Sequence, residues 1–347
     1  VIVLSVLAAP SARAQQESPT VKVFLLAGQS NMEGKAQNRL LDYQAAQPNT
    51  AHHYTHLRDG DSWAVRDDVF IKFLDRRGPL TIGYGSPNRT GVELELGWTL
   101  GDHFDEPVVL VKAAWGGHAL YRKFRPPSSG VPDDSFLQEE FERAQRQTRE
   151  RNEKQGRNDP LPTMNDILTP YGSSYRNMIA EARHTLDHCA DLFPELAGTT
   201  PQLAGFVWFQ GWNDMYNIGP DEYESNLANL IRDLRRDLNR PNLPVVIAAM
   251  GQNGSNPPSD RMQKIQRAQF AVSRMPEFHE SVRTIETDGL VDKQAEALFE
   301  GWRDHVEEWE KVGSDYPYHY LGSGIWFGRI GRAMGEAMLE LLELEGR

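Results

Sequence analysis

The amino-acid sequence predicts an α/β protein, a three-layer α/β/α sandwich around a central parallel sheet. Three observations predict it. Short, strongly apolar runs recur at 21–27, 107–114, 203–209, 244–250 and, more weakly, 281–286, and such runs read as strands buried on both faces. Each ends in glycine or a polar loop. Segments with helical periodicity lie between and after them, at 175–192, 223–238 and 325–344. Strands alternating with helices give a parallel sheet covered on both sides. On such a sheet, ligands bind at the carboxyl ends of the strands.

The elements follow in chain order. The run VKVFLLA (21–27) leads directly into Gly28, Gln29, Ser30, Asn31 and Met32. A serine at a tight turn after the first strand exposes its hydroxyl at the sheet's carboxyl edge, and the turn brings backbone N–H groups to the same place. Taken alone, it could equally be a helix N-cap. Residues 33–97 read as mostly irregular, with a charged segment at 56–77. The run PVVLVKAA (107–114) is followed by Trp115, Gly116 and Gly117. Paired glycines allow close backbone approach and offer an unencumbered N–H. The densely charged stretch 136–160 alternates acids and bases, so it reads as a solvated helix and linker. The run LAGFVWF (203–209) leads into Gln210, Gly211, Trp212, Asn213 and Asp214, which puts two side-chain amides at a third carboxyl edge, where an amide N–H can donate to an oxyanion. Near the C-terminus, Asp315 and His319 share a loop before the last helix. A serine nucleophile needs such a base, and the base needs an orienting carboxylate. Four loops therefore supply nucleophile, backbone donor, amide donor and base.

Bulk composition narrows the partners. Lys and Arg total 37 and Asp and Glu 49, a formal charge of −12. That charge disfavours nucleic acid and anionic membranes. The GQSN turn lacks both a Walker lysine and a G-x-G-x-x-G pattern, which argues against a phosphate site. The single cysteine, Cys189, cannot form an internal disulfide, and it argues against a cysteine-ligated metal. It lies in a helix-like stretch and reads as a buried structural thiol. The opening VIVLSVLAAPSARAQQ resembles the end of a secretory signal peptide with an A-x-A cleavage pattern. The expected organisation is thus a signal remnant at 1–14 and one domain over 20–347, with insertions near 34–97 and 122–165. Secretion or periplasmic export is the expected localisation.

The blocks GQSNM, WGG and QGWND and the late Asp–His pair resemble the four blocks of SGNH/GDSL hydrolases, which have a flavodoxin-like α/β/α fold. GQSNM with KAAWGG, WFQG, FRPPSS (124–129) and HYLG (319–322) is similar, more narrowly, to the sialate O-acetylesterase and acetylxylan esterase branch. The resemblance implies a secreted serine esterase that removes acetyl groups from carbohydrate. It assigns Ser30 as nucleophile, His319 as base and Asp315 as its acid. The oxyanion donors it implies are the N–H of Ser30, that of Gly117 or Gly116, and the amide of Asn213 or Gln210. The family usually has its acid three residues before the histidine; here Asp315 is four before, so Asp288 is the reserve candidate. Trp212 stands where the branch usually has Glu. No metal or organic cofactor is implied. Alternatives are another esterase on this scaffold, lipase-like or acting on peptidoglycan, and a carbohydrate-binding protein without catalysis. Oligomeric state stays open.

Overall fold

The computed structural model describes residues 19–345, so the signal-peptide expectation for 1–14 lies outside the described residues. Seven strands form the main sheet: β1 (Thr20–Gly28), β2 (Val69–Phe73), β3 (Arg76–Pro79), β4 (Val108–Ala114), β5 (Thr200–Phe209), β6 (Val245–Ala248) and β7 (Val282–Ile285). Their spatial order is β7-β6-β5-β1-β4-β2-β3. Neighbours pair in parallel except β3, which returns antiparallel on β2 as the outermost strand.

Alternation along each strand distributes side chains to two cores. From β1, Phe24 and Leu26 pack with α2 (Glu93–Gly101) and α7 (Gly324–Glu345). Val23, Leu25 and Ala27 face the opposite layer, formed by α4 (Ser173–Asp187), α5 (Gly219–Asp237) and α6 (Asp260–Ser273). Both faces of the central strands are therefore apolar, the pattern expected of a covered parallel sheet. Full burial of each such large side chain contributes about 1.5–3 kcal/mol. The three-layer expectation holds, and all five strand readings coincide with observed strands.

Residues 33–97 depart from the expectation. They are not a mere irregular insertion, because they carry β2, β3 and α2. β2 is only five residues long and contains Lys72, whose charge is met by Glu181. A short run beside a charged stretch gives little periodicity to read. Through β3 the sheet also becomes mixed rather than wholly parallel. The charged stretch after residue 133 does form a helix, α3 (Asp134–Gln155). Asp133 caps it by accepting from the Phe136 N–H at 2.9 Å, and Gly156 ends it at a left-handed φ of 62°. Leu137 of α3 joins Ile167 and Tyr171 in a small satellite core.

One buried ion pair sets the geometry beneath the first strand's exit. Lys112 of β4 and Glu93 of α2 are both inaccessible, with Nζ 3.0 Å from Oε2. Lys112 also donates to the Glu33 carbonyl at 2.8 Å, and Glu93 accepts from the Gly91 N–H at 2.8 Å. The pair ties β4, α2 and the chain just after Ser30 into one unit, and breaking it would leave an uncompensated buried charge.

Candidate active site

The register of three adjacent strands assembles the site. Gly28 aligns with Ala114 on one side and Phe209 on the other. The loops bearing Ser30, Gly116–Gly117 and Gln210–Asn213 therefore leave the sheet at one level. Gly28 has to be glycine, because a Cβ there would lie 2.1 Å from the Phe209 carbonyl oxygen.

Ser30 opens the short helix α1 (Ser30–Glu33), and little of it is exposed. The side chain of its neighbour Gln29 reaches the β5 loop. Gln29 Nε2 donates to Asn213 Oδ1 at 3.0 Å, while its Oε1 accepts from Gln210 Nε2 at 3.1 Å and from the Asn213 N–H at 3.3 Å. With Oδ1 held by Gln29, Asn213 keeps Nδ2 as a donor without a protein partner among the described residues. Gln210 differs. Its Nε2 also meets Asp214 Oδ2 at 2.6 Å and the His118 carbonyl at 3.2 Å, and its Oε1 accepts from Tyr223. Its amide is consumed in structure.

Asp214, fully buried, is the hub of this network. It accepts from the Leu120 and Tyr121 N–H groups at 2.7 and 2.8 Å as well as from Gln210. Burial pushes its pKa up to about 6 against the opposing pull of these hydrogen bonds. It thereby fixes the β4 loop to the β5 loop.

In the glycine pair, the Gly116 N–H donates to Glu33 Oε1 at 2.6 Å. Burial works to raise the Glu33 carboxyl, but Lys35, the Gly116 N–H and Ser86 outweigh it and hold the group ionised below its ordinary value. Gly117 has a left-handed φ of 75° and open space on its Cβ side, and its N–H has no partner among the described residues. Next to it, His118 places Nδ1 2.7 Å from Ser174 Oγ and Nε2 2.9 Å from Lys123 Nζ. Burial first, then the Lys123 charge, lower its pKa to about 4. His118 is thus neutral near pH 7, with both nitrogens engaged.

The C-terminal loop closes over the first. Asn31 Nδ2 donates to the Tyr318 carbonyl at 3.1 Å, joining positions 287 residues apart. That bond sets the neighbour of Ser30 against the neighbour of His319. The His319 N–H donates to the Tyr316 carbonyl at 2.9 Å, and this turn carries His319 back over Asp315. His319 Nδ1 lies 3.1 Å from Asp315 Oδ1, an ion-pair distance whose alignment falls short of a hydrogen bond. The unusual four-residue spacing is therefore compatible with contact. Arg89 reaches the other carboxylate oxygen at 2.7 Å, and the Tyr316 N–H donates to the first at 2.8 Å. Burial alone would raise the Asp315 carboxyl; His319, the Tyr316 N–H and Arg89 outweigh it and hold it below the usual carboxylate value. The reserve candidate, Asp288, accepts from its own Gly289 N–H, and its carboxylate is not the one paired with His319.

Three successive left-handed residues follow His319: Tyr320, Leu321 and Gly322, at φ 50°, 59° and 58°. The first two lack glycine's freedom and carry about 1–2 kcal/mol of strain each. The Tyr320 hydroxyl holds them in place, accepting from the Gly251 N–H at 3.1 Å and sharing a 2.9 Å bond with Thr287. These anchors come from the ends of β6 and β7.

Sequence reasoning missed Gln29, Glu33, Arg89 and Asp214 as organisers of the site. Gln29 and Asp214 stood inside quoted motifs, whereas Arg89 lies in the stretch read as irregular. Trp208, within β5, is core and donates to Tyr223. Trp212 is half-buried beside Tyr318, with ring centres 5.8 Å apart. Cys189 is buried, and burial raises its thiol. Among the described residues, no helix is long and apolar enough to cross a membrane.

Comparison with known proteins places these observations. A probable carbohydrate esterase of Arabidopsis thaliana is 32% identical over 72 residues, 20% of this chain and 26% of its own length. The chain thus matches about a quarter of that relative. The X-ray structure of the same plant protein superposes with a TM-score of 0.52 at 16% identity, covering 92% of this chain and 98% of the other, a likeness of fold. A carbohydrate acetylesterase from Xanthomonas citri aligns at 14% identity with a TM-score of 0.46, over 91% of this chain and 55% of its own. The family described as carbohydrate esterase, sialic acid-specific acetylesterase matches residues 20–159 and 162–300, stopping short of the loop with Asp315 and His319. With the greater part of its length matched, the chain belongs to that carbohydrate esterase family.

Proposed function

We propose that the chain is a serine esterase that removes O-acetyl groups from carbohydrate through an acyl-enzyme on Ser30. The observation that carries the reading is the convergence of the two ends of the chain. The Asn31–Tyr318 bond sets the Ser30 turn against the loop in which Asp315 lies 3.1 Å from His319. In this mechanism His319 takes the Ser30 proton as the hydroxyl attacks the ester carbonyl. Asp315, kept ionised by its neighbours, orients the imidazole and stabilises the imidazolium. The Ser30 and Gly117 N–H groups and Asn213 Nδ2 hold the oxyanion. Gly116 is spent on Glu33, and Gln210 on Asp214, His118 and Gln29, so neither is assigned that work. His319 then gives its proton to the departing sugar oxygen, which leaves as the free hydroxyl, and water, deprotonated by His319, hydrolyses the acetyl-enzyme to release acetate and restore Ser30.

The deciding experiment is acetate release from acetylated glycans, beside hydrolysis of esters with longer acyl chains. Acetyl esters of carbohydrate are expected to be the preferred class. Glycan binding with no acetate release would identify the non-catalytic alternative, and preference for long acyl chains the lipase-like one. Asn213→Ala is expected to lower kcat on the preferred ester about 10²- to 10³-fold with little change in KM, because its donor acts on charge that develops only in the transition state. Steady-state kinetics check this; a KM effect alone would reassign Asn213 to ground-state binding.

A further inference from the structure

A cleft of about 700 Å³ opens beside the His319 loop, within the usual size range of small-molecule sites. Its walls include Gln252 from the loop after β6, Trp302 and Tyr316. Aromatic rings lead from the proposed catalytic centre into it. The Tyr318 ring centre is 4.5 Å from that of His319, and the Tyr316 ring stacks on Tyr318 at 5.6 Å and 13°. Both tyrosines are exposed, at 44% and 37% of their surfaces. Exposed, near-parallel rings leave apolar faces open to water, a cost that a ligand with its own apolar face removes.

The polar groups narrow the ligand. Gln252 is nine-tenths buried, and its Oε1 accepts from the Gly251 N–H at 3.1 Å. Its Nε2 keeps no protein partner among the described residues and remains a donor on the cleft wall. Glu296 is occupied by Ser255 and Lys293, which leaves two carboxylates, Glu300 and Asp304, on the lining with one guanidinium, that of Arg303, which lies 4.9 Å over the Trp302 ring. Carboxylates accept hydrogen bonds from hydroxyls, but they repel an anion, and they do so in a protein already carrying −12. Aromatic faces, an amide donor and surplus carboxylate acceptors together match a polyhydroxylated, uncharged ring.

We propose that this cleft binds an uncharged sugar unit adjoining the acetylated one, so that the substrate is an acetylated neutral oligosaccharide and not a lone anionic sugar. The proposal rests on the esterase reading for its first unit only. The test compares kcat/KM on acetylated xylotriose, acetylated xylose, O-acetylated sialic acid and p-nitrophenyl acetate. The trisaccharide is expected to exceed acetylated xylose at least tenfold, and O-acetylated sialic acid to be the poorest of the three sugars. Trp302→Ala is expected to lower the ratio of trisaccharide to p-nitrophenyl acetate kcat/KM about tenfold, through KM. Glu300→Lys is expected to improve the sialate relative to the trisaccharide. Equal kcat/KM on trisaccharide and xylose, or preference for the sialate, overturns the proposal. If p-nitrophenyl acetate and the acetylated sugars all go unhydrolysed, the esterase reading fails by itself, and calorimetry with unacetylated xylohexaose judges the cleft. Binding to the wild type that is lost in Trp302→Ala upholds it; no binding overturns it.

Discussion

Ser30→Ala is expected to lower kcat/KM for acetyl ester hydrolysis by about 10⁴-fold or more while leaving the thermal unfolding midpoint nearly unchanged. The size follows from the role, since without the hydroxyl no acyl-enzyme forms and the remaining donors polarise a carbonyl that only water can attack. The small structural effect follows from the surroundings. The turn is held by Gln29, by Asn31 bonded to Tyr318 and by Lys112 bonded to the Glu33 carbonyl, so the Ser30 hydroxyl is not part of the scaffold. The measurement is acetate release by the purified variant, with a melting curve beside it. Hydrolysis within a few-fold of the wild type would remove Ser30 from the chemistry and the esterase mechanism with it.

Asp214→Ala is expected to cost about 3–5 kcal/mol of stability, the largest single loss among the polar residues of the site. Truncation strands the Leu120 and Tyr121 N–H groups, both buried, and removes the carboxylate that joins them to Gln210. Denaturant unfolding measures the loss, and a cost below about 1 kcal/mol would mean that the two loops do not depend on this carboxylate. The charge adds a pH signature. An unfolded Asp titrates near 3.9, whereas folded Asp214 titrates at about 6. Between those values the unfolded chain has released a proton that the folded chain retains. Stability from this group is therefore complete below about pH 4 and is lost as pH rises through about 6, a change of order 3 kcal/mol. The same rise in pH leaves an Asp214→Asn variant without this loss, so the stability gap between wild type and variant should move against the wild type from pH 4 to pH 7.

Much of this architecture is legible in the sequence because burial on both faces leaves unbroken apolar runs. β1, β4 and β5 announce themselves this way, and the motifs at their ends inherit a location from the parallel-sheet rule. β2 and β3 do not. VFIKF carries a lysine answered by Glu181, 109 residues later, and RRGP has no apolar pattern at all. The site divides along the same line. Ser30, Asn213 and the Asp315–His319 pair stand in short motifs whose chemistry is local. What favours Asn213 over Gln210, and Gly117 over Gly116, as the proposed oxyanion donors is which of two similar groups is already engaged. That depends on partners such as Gln29 and Glu33, whose reach across the sheet edge no spacing rule encodes. Arg89 on Asp315 is the extreme case, a contact spanning 226 positions from a segment without periodicity.

The outermost strand has a consequence for the molecule's behaviour in crowded solution. A sheet border normally offers a ladder of free amide and carbonyl groups onto which another chain could dock. Here that border is Arg76, Arg77, Gly78 and Pro79. Arg76 is drawn onto the Gly83 and Gly85 carbonyls and Arg77 onto the Leu192 carbonyl, and Pro79 has no N–H to give. A stranger's strand meets two fixed positive charges and an interrupted ladder, so the sheet is closed to growth on that side and self-association by strand addition is discouraged where the chain turns back on itself.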